Sequence, residues 1–151
     1  MKNLLVASDR GELYDRLDTL NDASVRRWGR MSVNGMLCHL TDAFRMALGE
    51  KPARRRGGVA GRTVVRFVAL HLPIRWPKGV RGPAEIDQEL GGTRPENFAS
   101  DREGLRSAVE AFVERIDPET MTHPLFGRLS AREWGVWGYR HLDHHLRQFG
   151  A

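Results

Sequence analysis

Apolar residues recur at intervals of three and four in four stretches of this chain, the spacing that places side chains on one face of an α-helix. The third stretch is the clearest, and its apolar positions are Leu105, Ala108, Val109, Phe112, Val113 and Ile116. No stretch alternates apolar and polar residues for long enough to predict a β-strand, and no internal repeat is visible. The pattern therefore predicts an all-α protein.

Capping residues set the limits of the first two predicted helices. The first is predicted over residues 9–20, with Ser8 or Asp9 as its N-cap. The second is predicted over residues 32–48, and Gly49 ends it. The inward-facing stripe of this second helix consists of Gly35, Met36, His39, Ala43 and Met46.

The third and fourth helices have similar signals. The third is predicted to begin at Ser100 or Asp101, either of which can act as an N-cap. The fourth is predicted to follow Ser130 and to run to about Phe149. Ser130 and Glu133 have the spacing of a capping box, in which each side chain accepts a hydrogen bond from the other residue's backbone N–H.

The connection between the second and third helices is long and basic. It covers about residues 50–95 and contains one apolar run, 63–72, that predicts a helix broken at Pro73. Residues 51–84 hold nine Lys or Arg and no Asp or Glu, whereas the rest of the chain has 15 basic and 19 acidic residues. Four helices with this insertion predict a four-helix bundle, in a single domain over residues 1–151.

Three interpretations of the basic insertion stay open. Its arginines can be solvated while its apolar residues pack on the bundle, it can lie over a site as a lid, or it can bind the phosphates of nucleic acid or of a membrane surface. Nucleic acid and membranes are not the expected partners. We expect a small-molecule substrate and, as in many bundles of this kind, a homodimer.

The composition, 40% hydrophobic and 28% charged, is that of an ordinary globular protein. No stretch approaches the roughly 18 apolar residues that span a bilayer, and the apolar run near the N-terminus is too short for a signal peptide. A single cysteine, Cys38, excludes an intrachain disulfide and fits a reducing compartment. A cytoplasmic location is therefore expected.

Three of the six histidines lie close together in the fourth predicted helix. His141 and His145 are four residues apart, so both imidazoles can point at one place, as in a metal clamp. They continue a stripe that begins with apolar side chains, where an unpaired polar group costs about 1–3 kcal/mol. The alternative is that one or both are solvated near the helix C-terminus. His144 is adjacent to His145 and lies about 100° around the helix from it, so His144 either contacts the metal-binding histidines without binding the ion or belongs to the surface.

His39 is the best candidate for a third ligand, although a single core histidine is more often hydrogen-bonded to a neighbour. Cys38 diverges from His39 by about 100° on the helix, so we interpret it as a small buried residue. Asp42, one turn after His39, is either the carboxylate that orients this histidine or a solvated surface charge. Asp42, Glu133 and Asp143 are the carboxylates nearest to the ligands in sequence, and the choice of a catalytic base among them stays open.

Several short motifs occur in a fixed order along the chain. They are Trp28-Gly29-Arg30-Met31-Ser32, Met36-Leu37-Cys38-His39-Leu40, His123-Pro124-Leu125-Phe126-Gly127-Arg128-Leu129-Ser130, Glu133-Trp134, Tyr139 and His141-Leu142-Asp143-His144-His145-Leu146-Arg147-Gln148. As an ordered set they resemble the DinB/YfiT-like superfamily of metalloenzymes, and more closely a subgroup with the pattern His-Pro-x-Phe-Gly-x-Leu-Ser. The long basic insertion and the additional His144 depart from the family pattern.

The resemblance implies an up-down-down-up four-helix bundle that binds a divalent ion, commonly zinc or nickel, through His39, His141 and His145. Some relatives are transferases or isomerases that use low-molecular-weight thiols. The expected function is therefore a metal-dependent enzyme acting on a small molecule, either a thiol-dependent transferase or a hydrolase, since the same site serves both. The alternatives are a non-catalytic metal-binding stress protein and anion binding through residues 51–81.

Overall fold

The computed structural model describes residues 1–55, 58–80 and 82–151, and these residues form helices and loops with no β-strand. Arg56 and Arg81, two of the nine basic residues in the insertion, lie outside the described residues. The all-α prediction is confirmed. The helices are α1 (Ala7–Asp18), α2 (Val33–Ala47), α3 (Gly58–Ala60), a π-helical turn (Gly61–Val65), α4 (Arg66–His71), a 3-10 turn (Ala84–Ile86), α5 (Phe98–Arg115) and α6 (Ala131–Phe149).

Two predicted helix starts were wrong. The N-cap of α1 is Val6, which has no side chain that can bond to the first turn, so Ser8 and Asp9 lie inside the helix. The Asp9 carboxylate instead accepts a hydrogen bond from the Asn3 backbone N–H at 2.8 Å. It thereby ties the N-terminal segment to α1 rather than capping it.

The start of α5 was also placed too late. Asn97 is its N-cap, and the Asn97 side chain accepts a hydrogen bond from Ser100 N at 3.0 Å. Ser100 is therefore the third residue of the helix rather than its cap. The earlier start brings Phe98 into the helix, where it packs against the core.

The other helix ends agree with the sequence. The Ser32 side chain accepts from Gly35 N and caps α2, and the predicted capping box of Ser130 and Glu133 begins α6. Gly150, at φ 90°, ends α6 in the left-handed conformation that glycine adopts without strain. The helix predicted over 63–72 is confirmed, although helical turns begin earlier, at Gly58.

The second helix forms the centre of the protein, because 13 of its 15 residues are buried. Its Phe44 ring packs against Phe112 of α5 at 5.2 Å and Trp137 of α6 at 5.6 Å between centroids. Gly138 permits this approach, since a Cβ there would lie 2.7 Å from Leu4 and 3.3 Å from Phe44. The up-down-down-up order of the helices stays a prediction.

None of the helices in the described ranges has the length and apolar character needed to cross a membrane.

Candidate metal centre

His39 of α2 meets His141 and His145 of α6 in the interior of the protein. Each of the three side chains is buried, and each offers one ring nitrogen within 4.8 Å of the others. The ring centroids are 5.2 Å apart for His39 and His141, 4.8 Å for His39 and His145, and 5.1 Å for His141 and His145. The structure thus brings together the three histidines selected from the sequence, in a group that could hold a metal ion.

Hydrogen bonds fix the tautomers of two of these histidines. His39 Nδ1 lies 2.7 Å from the carbonyl oxygen of Ile86, which can only accept, so Nδ1 carries the proton and Nε2 has the lone pair. His145 Nδ1 donates to Gln148 Oε1 at 2.9 Å, and the amide nitrogen of Gln148 donates to the Trp28 carbonyl at 2.9 Å. Both Nε2 atoms are therefore in the form that binds a metal.

The Nε2 atoms of His39 and His141 lie 3.2 Å apart. Two nitrogens bound to zinc at 2.0–2.1 Å and separated by a tetrahedral angle would lie about 3.3 Å apart. The observed separation therefore needs little adjustment to accept an ion. His141 Nδ1 differs from its counterparts, because it has no hydrogen-bond partner among the described residues.

Burial keeps these three imidazoles neutral. Desolvation lowers the pKa of His39, and it holds the pKa of His141 and His145 well below the ordinary 6.5. Neighbouring histidines lower the pKa of His141 and His145 further, because each would repel a second positive charge. A metal would therefore meet uncharged imidazole ligands at neutral pH.

His144 lies beside the three-histidine group but outside it. Its half-buried ring packs edge-on against His145 at 5.1 Å and lies 6.0 Å from the ring of Trp28 and 6.3 Å from that of Trp76. Burial lowers the pKa of His144 as well. The ring therefore forms part of the aromatic wall around the group.

The basic insertion covers this part of the protein. Its Trp76 ring lies 5.9 Å from the His141 ring, and its Ile86 carbonyl binds His39. Arg140 of α6 donates to the carbonyl oxygens of Leu72 and Ile74, which fastens the insertion to the same helix as His141. The insertion thus contacts two of the three histidines.

Asp42 has neither of the two roles predicted for it. The residue is completely buried, and it does not contact the His39 ring, whose Nδ1 is bonded to Ile86. Its carboxylate accepts from the backbone N–H and the hydroxyl of Thr93, both at 2.7 Å, and pairs with Lys51 at 2.8 Å. Lys51 and Thr93 lie at opposite ends of the insertion, so Asp42 joins these ends one helical turn from His39.

The other two carboxylates near the ligands in sequence are also engaged in ion pairs. Asp143 pairs with Arg16 and Arg147, each at 2.9 Å. Glu133 binds Arg66 through both oxygens and accepts from Ser130, and His71 lies 3.1 Å away. Burial alone would raise the pKa of Glu133, but these partners outweigh it and lower the pKa to about 2.

Cys38 is buried, as predicted, and is not one of the three grouped side chains. Burial, followed by the negative charge of Asp101, raises the pKa of its thiol to about 12. The cysteine is therefore a neutral thiol at physiological pH and not a thiolate ligand.

A family model described as the DinB superfamily matches residues 6–149. The chain belongs to the DinB superfamily. No curated protein and no solved structure matches it. The narrower subgroup with the His-Pro-x-Phe-Gly-x-Leu-Ser pattern stays a prediction for this DinB-superfamily protein.

Gln148 and the Ile86 carbonyl orient two histidines of this DinB-superfamily protein, and the sequence indicated only the first of them. Gln148 lies three residues after His145, on the same helix face, so its position was a signal for the hydrogen bond that it makes. The Ile86 carbonyl belongs to the backbone of the insertion and carries no sequence signal. Trp76 packs on His141, but it lies in the insertion, where no sequence spacing indicated a contact with His141.

Proposed function

We propose that this DinB-superfamily protein is a divalent-metal-dependent enzyme acting on a small molecule, with His39, His141 and His145 as the metal ligands. The observation that carries the proposal is the orientation of the ligands. The Ile86 carbonyl and Gln148 hold the protons of His39 and His145 on Nδ1, and His39 Nε2 faces His141 Nε2 at 3.2 Å. Burial alone does not explain why His39 and His145 both keep the lone pair on Nε2, whereas metal binding does.

The donor set suits zinc or nickel, because imidazole nitrogen is a preferred ligand of both ions. Three neutral ligands would leave the ion its full charge, which favours ionisation of a bound water or thiol near neutral pH. The protein's own residues orient the ligands and enclose them. Trp76 and the carbonyl of Ile86 lie against two of the histidines and limit the access of water.

Of the two reactions that such a site serves, we propose a thiol-dependent transferase first and a hydrolase second. The only cysteine is buried with a pKa near 12, so the thiol must come from a separate low-molecular-weight molecule. Asp42, Glu133 and Asp143 are all held by cations or hydroxyl groups, so we assign none of them as a general base. The lid interpretation of the insertion is part of this proposal, because its residues touch the ligands.

A turnover assay with matched variants tests the function. The protein is loaded with zinc or nickel and mixed with a panel of low-molecular-weight thiols and a chromogenic electrophile, and in parallel with an activated ester. We expect metal-dependent turnover that His39→Ala abolishes and His144→Ala retains, since His144 lies outside the group of three. Turnover that survives both metal removal and His39→Ala would contradict the proposal.

A further inference from the structure

A second concave site lies away from the histidine group, between the insertion and the turn that precedes α6. It is a cavity of about 200 Å³, and none of the three grouped histidines lines it. Its charged side chains are all arginines, namely Arg55, Arg62 and Arg128. Thr122 contributes a hydroxyl to the same wall.

These three arginines differ from several others in the chain. Arg66, Arg115 and Arg16 each pair with a carboxylate, whereas Arg55, Arg62 and Arg128 form no ion pair within residues 1–55, 58–80 and 82–151. No carboxylate lines the cavity either. Three exposed like charges therefore line one small space without a compensating anion from the described part of the protein.

The cavity wall is held by close backbone packing. Gly61 lies against the turn, because a Cβ on it would come within 2.9 Å of the Leu125 carbonyl oxygen. Next to it, the Arg62 side chain packs over Gly127, where a Cβ would lie 3.5 Å from Arg62 Cγ and Cδ. Gly127 has φ 76°, a conformation that favours glycine. The insertion is thus docked on the turn, and this fixes Arg62 near Arg128.

His123 organises the turn without adding charge. Its Nδ1 accepts hydrogen bonds from the backbone N–H groups of Leu125 at 3.2 Å and Phe126 at 3.1 Å. Burial lowers the pKa of His123 to about 3, so the ring is neutral at physiological pH. The positive charge of the cavity therefore comes from the arginines alone.

We propose that this cavity binds a small molecule that carries a phosphate monoester. Guanidinium groups match phosphate oxygens in pairs of parallel hydrogen bonds, and several of them can surround one dianion. A hydroxyl such as that of Thr122 can donate a further hydrogen bond. The inference does not depend on the metal centre, since the two sites share no lining residue.

Calorimetric titration with inorganic phosphate at physiological ionic strength tests the proposal. Arg62→Gln and Arg128→Gln should each weaken phosphate binding by about tenfold or more, because each removes charge-assisted hydrogen bonds. Arg75→Gln is the matched control, since Arg75 is an exposed arginine of the same insertion that does not line the cavity. Arg75→Gln should retain the wild-type affinity, and acetate should bind more weakly than phosphate.

Three results would overturn this inference. The first is the absence of phosphate binding by the wild-type protein at millimolar concentrations. The second is an equal loss of phosphate affinity in Arg62→Gln and Arg75→Gln, which would indicate a diffuse basic surface. Tight binding of duplex DNA that the two substitutions weaken equally would indicate the same. The third is loss of phosphate binding after chelation or in His39→Ala, which would place the anion at the histidine group. Retention of binding in those two samples supports a separate site, even if the metal proposal fails.

Discussion

His39 Nε2 and His141 Nε2 face each other at 3.2 Å in the interior, although 102 residues separate them along the chain. The Ile86 carbonyl holds the His39 proton on the opposite side of its ring, at Nδ1, so the lone pair of Nε2 points towards His141. Two lone pairs at this distance would repel each other. A proton on His141 Nε2 or a shared metal ion therefore has to lie between the two nitrogens.

Asp42→Asn should destabilise the protein by about 2–3 kcal/mol, because it weakens charge-assisted hydrogen bonds to Thr93 and the buried pair with Lys51. Urea denaturation measures the change. Glu50→Gln is the control, since its pair with Arg115 is largely exposed and should contribute less than about 1 kcal/mol. Equal effects of the two substitutions would show that Asp42 does not hold the ends of the insertion.

Trp76→Ala should leave the metal content unchanged but speed the removal of the metal by a chelator several-fold. The Trp76 ring lies against His141, and its loss would open the histidine group to solvent. Ile74→Ala provides the comparison, because Ile74 is an exposed apolar residue of the same segment. Stopped-flow mixing with a coloured chelator gives both rates, and identical rates would exclude a covering role for Trp76.

Glu133→Gln should lower stability at neutral pH and have little effect near pH 2. The folded pKa of Glu133, about 2, lies below its ordinary 4.5, so its contribution is fully present above pH 4.5 and is lost as the pH falls towards 2. The contribution is at most about 3 kcal/mol, and less after screening of the partly exposed Arg66. Thermal unfolding from pH 2 to 7 measures it, with Ser32→Ala as a capping control, because Ser32 caps α2 through Gly35 N and its loss should cost about 1 kcal/mol at every pH.

His123→Asn should reduce the loss of stability in acid. The folded pKa of His123, about 3, lies below 6.5, so the unfolded chain binds the proton first as the pH falls. Its contribution is therefore complete above pH 6.5 and declines between 6.5 and about 3, by up to about 1.4 kcal/mol per pH unit. Asparagine can keep an acceptor for Leu125 N and Phe126 N without titrating. Parallel stability curves for wild type and variant would contradict this assignment.

The sequence predicted local features of the fold well because their causes lie close together in the chain. The capping box of Ser130 and Glu133 spans three residues, and α6 begins there as expected. The start of α5 was misplaced because Asn97 and Ser100 are both good N-caps, and in the structure Asn97 caps the helix while Phe98 packs against the core.

The candidate site could be predicted only in part. Helical spacing brought His141 and His145 together, and the apolar face of α2 selected His39. The partners of Asp42 could not be predicted, because Thr93 lies 51 residues away and the contact depends on how the insertion folds back. The same holds for the Ile86 carbonyl, since backbone groups have no residue-specific signal.

The metal content of purified protein tests the central claim most directly. After loading with zinc or nickel and gel filtration, elemental analysis should find about one ion per chain in the wild type and in His144→Ala and His71→Ala, since neither of these residues belongs to the group of three. His39→Ala should lose most of the metal, because two imidazoles hold a divalent ion less tightly than three. A wild type without bound metal, or a His39→Ala protein with its full metal content, would contradict the three-histidine assignment.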